Sequence, residues 1–170
     1  MRKNEIDSIV FAMGCTLKLM PDPAYAISED EIISRLNLLD SIHKKDAEGR
    51  TLLMYAAMYD RYDVLQYLLA QKVDIHAKDR NQYSALHFAV QADNVSTIKA
   101  LIDAGADVNA KDRFGNNPLM RCNNGTSIST FELLLKNGAN PLQENVYGMS
   151  AKDVFSTREA VVELIKKFAY

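Results

Sequence analysis

Apolar positions along this chain recur in a fixed figure. Leu65, Leu68 and Leu69 lie at i, i+3 and i+4, and the spacing returns in Ile98/Leu101/Ile102 and Phe131/Leu134/Leu135. It puts three side chains on one face of a helix. The triplets stand 33 residues apart, and two polar segments keep the same register. The first opens each copy: Asp46-Ala-Glu-Gly49, Asp79-Arg-Asn-Gln82, Asp112-Arg-Phe-Gly115 and Asn145-Val-Tyr-Gly148. The second follows at once as Thr51-Leu-Leu-Met54, Ser84-Ala-Leu-His87 and Asn117-Pro-Leu-Met120. Behind the triplets come Val73-Asp74-Ile75, Gly105-Ala-Asp-Val108 and Gly138-Ala-Asn-Pro141. Each unit therefore reads as turn, short helix, loop, longer apolar helix, turn.

A 33-residue period with this order resembles the ankyrin repeat. The residues that carry the resemblance are Ser84-Ala-Leu-His87-Phe-Ala89 and Gly105-Ala-Asp-Val-Asn-Ala110, and it extends over about residues 46–168. It implies an all-α solenoid of stacked helix-turn-helix units with short hairpin turns and helical caps at both ends. The expected divisions are an N-terminal cap with a degenerate repeat at 1–45, three full repeats at 46–78, 79–111 and 112–144, and a C-terminal capping repeat at 145–170. One unit cannot bury both its helices, so stacking supplies the core.

Local chemistry agrees. Thr51 and Ser84 are N-cap residues, Pro118 suits the first helical position, and Gly105 and Gly138 suit the left-handed residue that ends a helix. Some positions depart from the pattern. Lys72 replaces a helix-ending glycine, and Gln82 replaces a turn glycine. Cys122-Asn-Asn-Gly-Thr forms a polar loop inside the third copy. In the fourth copy Val161/Leu164/Ile165 repeat the apolar triplet three residues early.

Ahead of the repeats, Ser28 with Glu31 makes a capping box for a helix carrying Ile32, Ile33, Leu36 and Leu39. Ile32, Leu36 and Ile42 fall 33 residues before Leu65, Leu69 and Ile75, which marks the second helix of a degenerate unit. Pro21-Asp-Pro23 predicts an extended linker. Ile6, Ile9, Val10 and Met13 form a short amphipathic stretch, which either covers the first unit or binds a partner. Ala12-Met-Gly14-Cys15 faintly resembles a lipoprotein cleavage site. Glu5, Asp7 and a short apolar core argue against an export signal, and a cytoplasmic location is expected.

Composition narrows the function. The chain has 170 residues, 48% hydrophobic and 25% charged, with a net charge of −2. No clustered basic excess calls for nucleic acid, and no apolar run of membrane-spanning length occurs. Cys15 and Cys122 have neither metal nor redox spacing.

A catalytic reading would have to use these cysteines, His43, His76, His87 or paired carboxylates. Cys122 takes the register position of Ala56 and Ala89, where a small buried residue belongs. His87 takes that of Met54 and Met120, and is expected to bond the neighbouring turn. His43 and His76 occupy equivalent turns. No phosphate loop, HExxH or GxSxG is present. The expectation is a non-enzyme with no cofactor and no metal.

The resemblance implies where binding occurs, namely the hairpin tips and the exposed face of each first helix. By register the tips are Ala47, Glu48 and Arg50; Arg80, Asn81 and Tyr83; Arg113, Phe114 and Asn116; Val146, Tyr147 and Met149. The helix face holds Met58 and Tyr59, then Gln91 and Ala92, then Asn124 and Gly125. Aromatic and arginine side chains of this kind dominate interface energetics. The expected function is binding of a protein partner by a chain that is monomeric alone. Two alternatives remain open. Small single-domain ankyrin chains resemble immunity or antitoxin proteins that inhibit a cognate toxin, and the chain could instead be a self-associating structural subunit.

Overall fold

A computed structural model describes residues 28–37 and 42–168. The amphipathic stretch at 4–13, Cys15 and the linker around Pro21 lie outside the described residues.

The described residues form two layers of helix. The outer layer contains α1 (Glu29–Asn37), α3 (Tyr62–Ala70), α5 (Val95–Asp103), α6 (Ile128–Lys136) and α8 (Glu159–Phe168). The inner layer contains α2 (Leu52–Met58), α4 (Ala85–Gln91), a single 3₁₀ turn (Pro118–Arg121) and α7 (Ala151–Val154). Four outer helices, α1, α3, α5 and α6, have nine residues each and start 33 residues apart. α1 packs on α3, so the degenerate unit before residue 46 supplies an outer helix at the expected register. α8 starts at Glu159, two residues ahead of the register, and buries Val161 and Ile165 against α6. Lys166 and Lys167 close its last turn, where cations favour the helix dipole.

Burial follows the repeat. Leu65, Leu68, Ile98, Leu101, Phe131 and Leu134 are fully buried from the outer layer, and Leu53, Leu86 and Leu119 from the inner layer. The start signals hold their positions. Thr51 Oγ1 accepts from Met54 N–H at 3.3 Å, and Asn117 Oδ1 accepts from Met120 N–H at 3.1 Å. Ser28 Oγ accepts from Glu31 N–H at 3.2 Å. Helix ends use the left-handed conformation, with φ of 95° at Gly105 and 86° at Gly138. Lys72 takes φ 55° and Gln82 φ 63°. The turns are thus conserved in shape, at the small cost a side chain adds in that region.

The inner element of the third unit has four residues, against seven in α2 and α4. Proline begins it, and Asn123 ends it by turning its side chain onto local backbone. Asn123 Oδ1 accepts from Gly125 N–H at 2.7 Å, and Asn123 N–H donates to Thr126 Oγ1 at 2.8 Å. Such local bonds compete with helix. Asn124 and Gly125, assigned by register to a helix face, therefore sit in this loop.

The loops between layers bind the units together. Asp93, at φ 54°, accepts from Ser127 N–H at 2.9 Å, Ser127 Oγ at 3.0 Å and Thr130 Oγ1 at 2.6 Å. Asp60, at φ 55°, accepts from Asn94 Nδ2 and from Thr97 Oγ1 at 3.4 Å. Each aspartate thus anchors the start of the outer helix one unit on. Thr126 replaces aspartate in the third loop, and its carbonyl accepts from Arg158 Nη2 at 2.6 Å.

Candidate protein-binding surface

The hairpins are built alike. Asp46 Oδ1 accepts from the N–H groups of Glu48 and Arg50 at 2.9 and 2.8 Å. Asp79 does the same for Asn81 and Tyr83 at 2.8 and 2.9 Å. Asp112 holds Phe114 and Asn116 at 2.7 and 3.0 Å, and Asn145 holds Tyr147 and Met149 at 2.9 and 3.1 Å. A short side-chain acceptor that brackets its own turn is the reason for Asp or Asn at this position. Successive tips join by one backbone bond each. Arg80 N–H donates to Glu48 O, Arg113 N–H to Asn81 O, and Val146 N–H to Phe114 O, all at 2.9 Å. A Cβ on Gly115 would stand 3.2 Å from Asn145 Cα, so this turn leaves no room for a side chain beneath the fourth tip.

The second oxygen of each turn carboxylate meets a different neighbour. Asp46 Oδ2 accepts from Tyr55 Oη at 2.5 Å. Nine residues beyond Asp112 stands Arg121, which pairs with Asp112 Oδ2. Nine beyond Asp79 stands Phe88, which has no polar atom to offer. Arg50 of the preceding hairpin approaches instead, with Nε 3.7 Å from Asp79 Oδ2 and no hydrogen bond between them. Asn145 needs no cation; its Nδ2 donates to Asn116 Oδ1 at 2.9 Å. Burial alone would raise the pKa of Asp112, but Arg121, Asn116 and the turn N–H groups outweigh it and hold the carboxyl below its ordinary value. Burial and the bond to Asp46 push Tyr55 up to about 12.

His87 is fully buried at the start of α4. Its Nδ1 accepts from Ser84 N–H at 3.1 Å. A backbone amide always donates, so the ring proton lies on Nε2, which donates to Asn116 O at 3.3 Å. His87 thus bonds the next hairpin. Burial lowers its pKa from 6.5 to about 4, against a smaller opposing effect of the Asn116 carbonyl. An unfolded chain takes up this proton at higher pH than the folded one. The stabilising contribution is therefore complete above the unfolded value and is lost as pH falls from there toward 4. Wild type is expected to lose about 2 kcal/mol between roughly pH 7 and 5, read from urea midpoints. His87→Gln, which keeps an acceptor for Ser84, should flatten that slope. Equal slopes in both proteins would place the acid sensitivity elsewhere. Asp112 is lowered from 3.8, so its own contribution is lost only in more acidic solution.

Cys122 is buried, and burial raises its thiol pKa. It is a poor nucleophile at neutral pH.

The expected binding positions differ in availability. Tyr83 is half-buried, stacked on His87 at 5.4 Å, edge-on to Phe88 at 5.5 Å, and covered by Arg121 with Cζ 4.7 Å from its ring. Arg50 is committed to Asp79 and lies 5.6 Å over the Phe88 ring. Asn116 is half-buried within the Asp112 bracket. Met58 and Tyr59 are half-buried at the end of α2, with Tyr59 6.1 Å from Tyr55. Glu48, Arg80, Gln91 and Arg113 are exposed. Asn81 is partly covered by Arg113, whose Nη1 donates to its side chain at 3.0 Å.

Phe114 is half-buried between Arg113, 4.5 Å above its ring, and Tyr147, 6.3 Å away. The largest apolar exposure is at the fourth hairpin, where Val146 is 66% exposed, Tyr147 72% and Met149 41%. Lysines precede the first three hairpins, and the sequence signals them only by their period, since Lys45, Lys78 and Lys111 stand 33 residues apart. Lys45 Nζ reaches Lys78 O at 3.3 Å, and Lys78 Nζ reaches Lys111 O at 2.7 Å.

Comparison with known families fits this geometry. A family model described as ankyrin repeats (many copies) matches residues 53–102. Those residues run from α2 to the end of α5, and hairpins and helices of the same construction continue on either side. Over those residues the chain is similar to ankyrin repeat proteins. No curated protein matches it. Ankyrin repeats are generally protein–protein interaction modules and are typically non-catalytic. Among the described residues no helix is long and apolar enough to cross a membrane.

Proposed function

We propose that this chain is a non-catalytic adaptor that binds a protein partner through its hairpin tips and the exposed ends of its inner helices. The observation that carries the reading is the exposed apolar group at the fourth hairpin, Val146, Tyr147 and Met149. Apolar area held at a turn tip contributes little to folding and is expected where a partner covers it. The backbone bonds between tips and the bracketed turns hold the surface in shape before binding, which limits the ordering cost of association. Residues 46–144 serve in this reading as three full repeats, with 1–45 and 145–170 as caps. The uniform start of the outer helices supports that division.

Inhibition is a finer version. A preformed surface that occupies its partner blocks whatever site it covers, as an immunity protein does with a toxin. A second copy of the chain is the other occupant of the same apolar group. Light scattering of the purified chain separates the two, because the adaptor reading requires a monomer. Nucleic acid, membrane, metal and cofactor have no part in the proposal, and the cytoplasm is its setting.

Tyr147→Ala with Met149→Ala is expected to leave the melting temperature nearly unchanged and to weaken partner binding by more than about 1 kcal/mol. A pull-down from native extract with wild type beside this variant makes the comparison. A partner retained equally by both would move the site away from the tips.

A further inference from the structure

The hairpin edge has an uneven distribution of charge. Lys45, Lys78 and Lys111 stand on the first arm of three successive hairpins, and Arg80 and Arg113 stand at the second and third tips. The bonds from Lys45 and Lys78 to the next lysine's carbonyl satisfy donors without neutralising charge. Among the described residues none of these five cations forms an ion pair. Of the turn carboxylates, Asp46 has the neutral Tyr55 hydroxyl as its partner and offsets one of the five charges, whereas the other two are already matched by cations. Asp79 and Asp112 are buried and held by their own turn N–H groups and by Arg50 and Arg121. The exposed acid at a tip is Glu48. Since the whole chain carries −2, the positive excess on this edge is local.

The row changes character at the fourth hairpin. Glu144 takes the lysine position, Val146 the arginine position, and Tyr147 and Met149 are exposed beside them. The two parts are contiguous, because Arg113 covers Phe114 and Phe114 stacks on Tyr147.

Building on the adaptor reading above, we propose that this edge binds an acidic, extended segment of a protein partner. Its carboxylates lie along the first three hairpins, and one aromatic or aliphatic side chain seats on Val146, Tyr147 and Met149. Exposed cations of this kind act mainly on association rate and salt dependence, whereas an apolar anchor governs dissociation. Cations with aromatic rings also suit single-stranded nucleic acid, but there the rings alternate with the charges along the strand. Here the rings, half-buried Phe114 and exposed Tyr147, lie together at one end, and Glu48 interrupts the row at the other.

The test selects peptides from a display library of random twelve-residue sequences on the full chain. Enriched peptides are then measured by biolayer interferometry on wild type, on Lys78→Gln/Arg80→Gln/Arg113→Gln and on Tyr147→Ala. Oligo-dT serves as a second probe. Enriched sequences are expected to combine an excess of Asp and Glu with one large apolar residue. The triple variant should slow association about tenfold at low salt, and Tyr147→Ala should speed dissociation about tenfold. Replacing the peptide's acids with Gln should reproduce the triple variant's effect on wild-type protein, which keeps the test decisive should that variant melt early. Enriched peptides without acidic excess that still lose affinity on the Tyr147→Ala variant would overturn the acidic partner and leave the adaptor reading standing. Peptides bound equally by every variant, or no enrichment, would overturn both. Oligo-dT bound as tightly as the peptides would overturn the proposal in favour of nucleic acid.

Discussion

Asp112→Ala is expected to cost about 3 kcal/mol, the lower end of what breaking a buried ion pair costs. Three losses combine. The N–H groups of Phe114 and Asn116 lose the acceptor that brackets the third turn. Asn116 Nδ2 loses both carboxylate oxygens. Arg121 keeps its charge under the Tyr83 ring with no carboxylate beside it. The value falls at the lower end because Arg121 is one-fifth exposed and water recovers part of its solvation. Asp112→Asn separates the contributions. Asparagine brackets a turn well, as Asn145 does in the fourth hairpin, so this variant keeps the bracket and loses the oxygen that accepts from Arg121 and from Asn116 Nδ2. About 1.5 kcal/mol is expected, the net value of a hydrogen bond to a charged group. Chemical denaturation of the three proteins makes the comparison. Equal losses for Ala and Asn would assign the whole effect to the ion pair, and a negligible loss for both would show that Arg121 relaxes into solvent without cost.

Phe131→Ala is expected to cost about 3–5 kcal/mol, the range for emptying a buried aromatic site. Phe131 is fully buried in α6, edge-on to Phe155 at 4.9 Å, with Arg158 5.0 Å above the ring. The site has little capacity to collapse. Its inner layer is one 3₁₀ turn and the four-residue α7, too short to shift into the space. In a solenoid each unit leans only on its neighbours, so the damage should be local. Hydrogen exchange is expected to speed across residues 112–168 while α2 to α5 keep most of their protection. Uniform acceleration along the chain would instead mean that the array unfolds as one unit.

The helix plan was legible in the sequence because period and chemistry agreed. Triplets such as Ile98/Leu101/Ile102 mark an outer helix, and Thr51 and Ser28 mark helix starts by a chemistry that needs no tertiary context. His87 was also legible, since its register position faces the next turn. The third inner element was harder. Asn117-Pro-Leu-Met120 reads as a normal helix start, and only the competition from Asn123 and Thr126 shortens it. Least visible were the charge partners. Arg50 meets Asp79 across a unit boundary, and Arg121 meets Asp112 within one unit, so neither follows from the repeat itself. A usable signal existed in the position nine residues past each turn acid, held by Tyr55, Phe88 and Arg121. The apolar hairpin at Tyr147 was placed by register, but its exposure depended on what packs beside it.

The differing partners of the turn carboxylates also fix the order of the units. A second copy of residues 79–111 inserted after the first would place Tyr83 where Arg50 stands now, and its buried aspartate would meet two rings and no cation. Deleting those residues would bring Arg50 and Arg121 onto the single carboxylate of Asp112. The array therefore resists the duplications and deletions by which repeat proteins ordinarily change length, and the spacing of its contact points along a partner is fixed with it.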